Sequence, residues 1–258
     1  ELVVVNTTTG CANSIIKPLN TFNYTTAFTA SATTVCVGST VQFTDESSPG
    51  TNNYAWTFGN GPTSIVSNPS ISYNIAGTYT VSLTTENTTN GCSDVATQTI
   101  TVVNAQVPSL SPSLTIGCNP STVTYTNTSG FNGSFSWNFG NGNTYNGSNP
   151  PTQNYSMPPY NQPPFYPVSD SFSVTIFSTD ENGCTSSKVY PNLLHIYNIV
   201  PSFSASVNQG CEDLHTTFSD NSYSPIPGFP VNSWQWIFGN GQTFTGQNPP
   251  TQIYSEGL

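Results

Sequence analysis

Arginine is missing from this sequence and lysine occurs only as Lys17 and Lys188, against twelve acidic residues. Charged residues therefore make up 5% of the 258, and the net charge is −10. Without cationic side chains to neutralise phosphates, nucleic-acid binding is excluded, and anionic membrane surfaces are disfavoured for the same reason. Histidine is as scarce: His195 and His215 are the two, and neither has a cysteine, serine or carboxylate at a spacing that suggests a nucleophile or a metal set. No two cysteines form a C-x-x-C pair, which argues against zinc. There is no apolar run of about 18 residues, so no membrane insertion is expected. No export signal opens the sequence, so export is expected to be directed from elsewhere.

What is present is a strand-forming vocabulary: 34% hydrophobic residues, 12% aromatics, and abundant Thr and Val on a background of Asn, Ser and Gln. That balance carries enough apolar surface to bury and predicts a folded all-β protein with an uncharged polar surface. Six cysteines point to an oxidising compartment outside the cytosol.

One stretch organises the rest because it returns. Trp56-Thr57-Phe58-Gly59-Asn60-Gly61 recurs as Trp137-Asn138-Phe139-Gly140-Asn141-Gly142 and as Trp236-Ile237-Phe238-Gly239-Asn240-Gly241. Alternation puts Trp and Phe on one face of a strand, and Gly-Asn-Gly tolerates the positive φ of a tight hairpin. Nothing in the motif transfers a proton or holds a metal. Trp56, Phe58, Trp137, Phe139, Trp236 and Phe238 are accordingly expected in the core, with the Trp rings beside Phe43, Tyr125 and Phe218.

The repeat divides the chain. Residues 25–104 read as a complete unit of seven short strands, the pattern of an immunoglobulin-like sandwich. Residues 105–198 repeat its order, with a proline-rich insertion over 157–167 that cannot pair into a sheet. Residues 199–258 begin a further copy, and residues 1–24 read as the closing strands of a preceding one, since Leu2 to Cys11 line up with Leu83 to Cys92. Two explanations stand for the divided copies: a window of a longer periodic polypeptide, or separate chains joined head to tail by strand addition.

The series V-x-F-x-D, W-x-F-G-N-G, N-P-x-x-x-Y and G-T-Y-T-V-x-L, complete and in order within 25–104, resembles the PKD domain. The fold expected is thus a tandem array of immunoglobulin-like (PKD) β-sandwiches, beads on a string. The extra cysteines resemble those of PKD arrays in large secreted Bacteroidetes proteins, including gliding-type surface adhesins. Cysteines recur near the second strand and after the N-G turn of each unit, so the in-register pairing is Cys36 with Cys92 and Cys118 with Cys184. Cys11 and Cys211 are left to meet across fragments of one composite domain. Some PKD-like modules hold calcium, which makes Asp45 and Asp220 candidates, with Glu46 beside the first. The competing reading has these side chains capping a turn, and Asn127 stands at the same place in the middle copy. Otherwise no cofactor is expected. Glu212 and Asp213 read as solvated.

Tyr145, Tyr160, Phe165, Tyr166 and Phe244 lie near turns or in the insertion, where exposed rings stack on sugars or proteins and buried ones pack on their own domain. The function expected is a non-catalytic stalk or filament segment of a large secreted adhesin-like protein, its partners being neighbouring repeats or head-to-tail copies, and surface glycans or proteins. The alternative is an ancillary carbohydrate- or protein-binding module of a secreted hydrolase.

Overall fold

A computed structural model describes residues 1–19, 21, 23–157, 168–211, 213–226 and 228–255. All but the first residue of the proline-rich insertion, with Tyr160, Phe165 and Tyr166, lies outside the described residues, as do Glu212 and 256–258. The chain divides into two compact units, Glu1–Ala105 and Gln106–Leu258.

The first unit opens with a hairpin of β1 (Leu2–Val5) and β2 (Ala12–Ile15). Its sandwich follows: β3 (Phe28–Ala30), β4 (Thr34–Cys36), β5 (Thr40–Asp45), β6 (Asn53–Thr57), β7 (Thr63–Ser64), β8 (Ser70–Ser72), β9 (Gly77–Asn87) and β10 (Cys92–Val103). Five strands form one sheet in the order β4-β10-β9-β6-β7, and β3-β5-β8 form the sheet across from it. The long hairpin β9–β10 is the spine, because period-2 alternation puts Val81, Leu83, Ile100 and Val102 on the inner face. From the facing sheet come Val41 and Phe43, and Trp56 and Phe58 fill the middle; all eight are buried. Such a core drives folding through apolar burial, roughly 1.5–3 kcal/mol for each fully buried aliphatic or phenyl side chain.

The short strand β4 pairs parallel to β10, with Cys36 opposite Val103 and Thr34 opposite Thr101. The sequence pattern did not show it, since three residues leave no period to read.

In the second unit, β11 (Leu110–Pro112), β12 (Ile116–Cys118), β13 (Ser121–Val123), β14 (Tyr125–Asn127), β15 (Gly133–Asn138), β16 (Thr144–Asn146), β17 (Gln153–Tyr155), β18 (Ser169–Asp180) and β19 (Thr185–Tyr197) reproduce the arrangement. The five-stranded order is β12-β19-β18-β15-β16, and β11-β14 and β13-β17 form the other face. Trp137, Phe139, Val123, Tyr125, Ile176 and Ile196 lie at the centre of its core.

The last stretch holds β20 (Phe203–Ala205), β21 (Leu214–Thr216), β22 (Phe218–Asp220), β23 (Gln235–Ile237), β24 (Thr243–Thr245) and β25 (Gln252–Tyr254). These pair two by two, β20-β22, β21-β25 and β23-β24. Among the described residues no strand stands beside β23 on the side that β9 takes beside β6. Trp236 and Phe218 are consequently only half-buried, whereas Phe238 is buried. This corrects the expectation of a fully buried third Trp: one flank of its ring has no neighbouring strand to cover it.

Candidate functional site

The tryptophans are held at both ends. Each ring packs on core aromatics, with Phe28 and Phe43 at 4.9 and 5.5 Å from Trp56, and each indole N–H donates across the following hairpin. Trp56 reaches the Val66 carbonyl, Trp137 that of Gly147 and Trp236 that of Gly246, all at 2.9 Å. A satisfied N–H is what makes burying an indole affordable. In the second unit a buried tyrosine pair adds to this, Tyr125 and Tyr155 joining hydroxyls at 2.7 Å while Tyr155 donates to the Phe139 carbonyl. Burial pushes the Tyr73 phenol up to about 12.

The first glycine of each Gly-Asn-Gly turn does different work in different copies. Gly59 and Gly140 have φ of 77° and 74°, and a Cβ on either would run into the backbone of the neighbouring strand, at Thr80 and Ser173 respectively. Gly239 lies outside the left-handed region, and its nearest neighbour is a tyrosine ring at 3.7 Å.

Asp45, Asn127 and Asp220 all do the same job. Each side chain accepts the N–H of the serine two residues on, at 3.1, 3.0 and 3.0 Å, an Asx turn ending the strand. Asn127 serves as well as the two acids, because an amide oxygen accepts the same bond without charge. Asp220 also accepts from the Trp234 indole at 2.8 Å and from Gln247 at 3.1 Å. The Ser222 bonds, with help from those two, hold its carboxyl below the usual range. Among the described residues no three His, Cys, Asp or Glu side chains gather into a metal set.

Carboxylates that sequence reasoning passed over anchor the start of each sandwich. In the first, Asp94 on β10 accepts the Thr26 N–H at 2.9 Å, while Tyr24 and Thr26 both bond the Thr85 hydroxyl. In the second, Asp180 accepts from the Gln106, Asn182 and Cys184 N–H groups at 3.2, 3.0 and 3.0 Å. Burial alone would raise the Asp180 pKa, but the three backbone bonds outweigh it and the net shift is downward. A signal was present: Asp180, like Asn6 and Asn87, precedes a turn that ends in Gly-Cys, although its turn is one residue shorter.

That turn recurs three times, over five residues at Asn6–Gly10 and Asn87–Gly91 and over four at Asp180–Gly183. The N–H groups of Gly10, Gly91 and Gly183 donate to the carbonyls of Asn6, Asn87 and Asp180, with glycine φ of 73°, 72° and 79°. Cys11, Cys92 and Cys184 follow directly, at the tip of the long hairpin. Cys36 and Cys118 sit at the opposite end, beside Val103 and Tyr197 where the long strand finishes.

The in-register pairing expected from the sequence is therefore corrected. Cys36 lies 11 residues along β10 from Cys92, and at about 3.3 Å per residue that is some 36 Å, against a limit of about 7 Å between bridged Cα atoms. Cys118 and Cys184 are kept apart in the same way by the length of β19. Among the described residues Cys36 and Cys184 are each disulfide-bonded, whereas Cys11, Cys92, Cys118 and Cys211 are free thiols.

Other candidates have structural partners. His195 stacks on Tyr197 at 6.4 Å, and His215 stands opposite Ile253 in β21. Tyr145 and Phe244 are half-buried and lie over Gly147 and Gly246, where a Cβ would meet the Tyr145 hydroxyl at 2.9 Å and the Phe244 ring at 3.1 Å. A cleft of about 590 Å³ remains between Phe203, Phe218, Trp234, Trp236 and Tyr254.

Residues 25–102 match the family model of the PKD domain. The PKD1 domain from Vibrio cholerae metalloprotease PrtV is 36% identical over 31% of this chain and 98% of its own, with a TM-score of 0.28. The PKD1 domain of Vibrio anguillarum Epp is 34% identical over 32% and 96%, also with a TM-score of 0.28. The fibronectin(III)-like modules of Clostridium thermocellum CbhA are 9% identical over 67% and 94%, with a TM-score of 0.32. None of the curated proteins matches the chain.

Proposed function

We propose, from the chain's membership of the PKD-domain family, that it is a stalk or filament segment of a large secreted cell-surface protein, an adhesin of the type used in gliding. Its tandem PKD-like sandwiches would be spacers, with no catalysis in this segment. PKD and immunoglobulin-like domains are generally non-catalytic modules, and the charge-poor surface suits a spacer that must stay solvated without responding to salt.

One observation carries this reading: each sandwich takes the chain in at one end of its long hairpin and releases it at the other. Thr26 and Gln106 enter beside the hairpin tip, while Val103 and Tyr197 leave beside β4 and β12. Units threaded this way add length with every repeat, about 40 Å for a 12-residue strand such as β10. Its partners are then neighbouring repeats, or further copies completing the half-formed third sandwich by strand addition, with surface glycans or proteins at the far end of the parent molecule.

Small-angle scattering of the full chain tests the reading. A compact globule of 258 residues has a radius of gyration of about 18 Å; a row of units gives a clearly larger value. A result near 18 Å would overturn the stalk.

A second reading is favoured by the 36% identity to a domain of a metalloprotease: an ancillary carbohydrate- or protein-binding module of a secreted hydrolase. Co-sedimentation with insoluble polysaccharide would support it.

A further inference from the structure

We propose that Asn60 is a self-modifying residue: in the folded protein its side chain closes onto the Gly61 nitrogen, and the residue is converted to aspartyl and isoaspartyl forms with no reagent but water. The site lies wholly within the first sandwich and is independent of what the array is for.

Seven asparagines precede a glycine, at 60, 90, 132, 141, 146, 182 and 240. Glycine favours this closure, because no side chain shields the attacking nitrogen and its backbone turns freely. A fold can hold the reaction back in two ways. The amide must swing until its Cγ meets the next backbone nitrogen, so hydrogen bonds at Oδ1 or Nδ2 resist it. That nitrogen must also give up its proton, so a hydrogen bond from its N–H resists closure as well.

Six of the seven are restrained. Asn141 accepts the Asn143 N–H at 3.0 Å and donates to the Asn154 carbonyl at 3.1 Å. Asn240 accepts the Gln242 N–H at 3.0 Å and donates to the Gln252 amide oxygen at 3.1 Å. Asn90 accepts the Cys92 N–H at 3.0 Å. After Asn146 and Asn182 the glycine N–H is taken, Gly147 donating to the Phe135 carbonyl and Gly183 to that of Asp180. Gly133, after Asn132, lies in the β15–β18 ladder opposite Asp180.

Asn60 escapes all of these restraints. Among the described residues neither its amide nor the Gly61 N–H has a hydrogen-bond partner, and both residues are exposed. The cause is one position further on. In the second and third copies the residue after the motif, Asn143 or Gln242, supplies the N–H that pins the asparagine. Pro62 stands there in the first copy and has no N–H to supply. The hairpin is less tied as well: Phe139 and Phe238 donate across their turns to the Asn143 and Gln242 carbonyls at 3.1 and 2.9 Å, whereas Phe58 makes no such bond to Pro62.

As the Gly61 nitrogen bonds to Cγ of Asn60, the Cγ–Nδ2 bond breaks and ammonia leaves with the proton that the nitrogen gave up. Water then opens the cyclic imide. Attack at Cγ leaves an aspartyl residue; attack at the main-chain carbonyl leaves an isoaspartyl residue, with the chain rerouted through Cβ. No electrons change hands. Either product adds a negative charge to the turn that the Trp56–Val66 bond spans, and the isoaspartyl form also lengthens its backbone by one carbon.

The test is to incubate the full folded chain in mildly alkaline buffer for days, digest it with chymotrypsin and map the peptides by mass spectrometry, separating isoaspartyl forms by chromatography. Asn60 should convert several-fold faster than Asn141 and Asn240, and in guanidinium, which removes the hydrogen bonds, the three rates should draw together. Asn141 or Asn240 converting as fast as Asn60 in the folded chain overturns the proposal. So does a difference that survives unfolding, since it would belong to the local sequence and not to the fold. Pro62→Asn supplies the missing N–H and should slow Asn60 toward the Asn141 rate with the strand signal in far-UV circular dichroism unchanged; an undiminished rate in that folded variant overturns the role assigned to Pro62. Were the variant to lose its strand signal, the folded-against-unfolded comparison of the unaltered chain still decides.

Discussion

The Trp56 indole N–H lies 2.9 Å from the Val66 carbonyl, bridging the turn that begins at Gly59. One side chain thus closes the core and pins the hairpin beside it. Trp56→Ala should cost roughly 3–5 kcal/mol, the range for emptying a large aromatic from a core. Calorimetry would show the melting transition of its sandwich falling or vanishing while the second transition stays. An unchanged first transition would place the ring outside the core.

Gly140 and Gly239 occupy the same motif position and should respond oppositely to alanine. At Gly140 the backbone is left-handed and the carbonyl of Ser173 leaves no room for a Cβ, so Gly140→Ala should lose more than about 1 kcal/mol. At Gly239 neither restriction holds, and Gly239→Ala should stay within about 0.5 kcal/mol. Denaturant midpoints of the two variants decide this, and equal losses would contradict the geometry.

Acid should unfold the protein through its turn and anchor carboxylates. Asp94, Asp180 and Asp220 all have folded pKa values below the usual one. A depressed folded pKa contributes stability that is fully present above the unfolded value, about 3.9, and is lost as pH falls through the folded value. Thermal melting should therefore be flat from neutral pH to about 5 and fall below about 4. Asp180→Asn should flatten part of that fall and lower the plateau, since its amide would turn N–H groups toward one of the backbone donors it now satisfies. An unaltered acid slope in this variant would remove Asp180 from the account.

Trp236 should be the accessible member of the three motif tryptophans. Its ring is half-buried, whereas Trp56 and Trp137 are each 1% exposed. With other tryptophans changed to Phe, acrylamide should quench Trp236 emission several-fold more steeply than Trp56 or Trp137. Equal quenching would mean that another segment covers the third core.

Much of this was legible in the residues because it is local. Period-2 alternation in Thr78 to Leu83 and in the W-x-F strands sets which side chains turn inward, and Asn-Gly punctuation sets where strands reverse. Strand ends were less legible: β18 runs to Asp180 and β10 starts at Cys92, since polar residues at a hairpin tip carry no burial signal. The turn-capping role of Asp45 and Asp220 was readable as one of two alternatives, and the Ser47 and Ser222 bonds identify it.

The sequence by itself determined an all-β chain, its repeat, the inward faces of its strands and the turns that join them, because each depends on neighbours a few residues apart. Only the tertiary structure decided the cysteines. Counting along the repeat put Cys36 and Cys92 in one unit and suggested that they meet, yet separation along a folded chain depends on which strand lies beside which. The parallel pairing of β4 with β10 sends Cys36 to the far end of the strand that Cys92 begins, and three residues of sequence hold no trace of that choice.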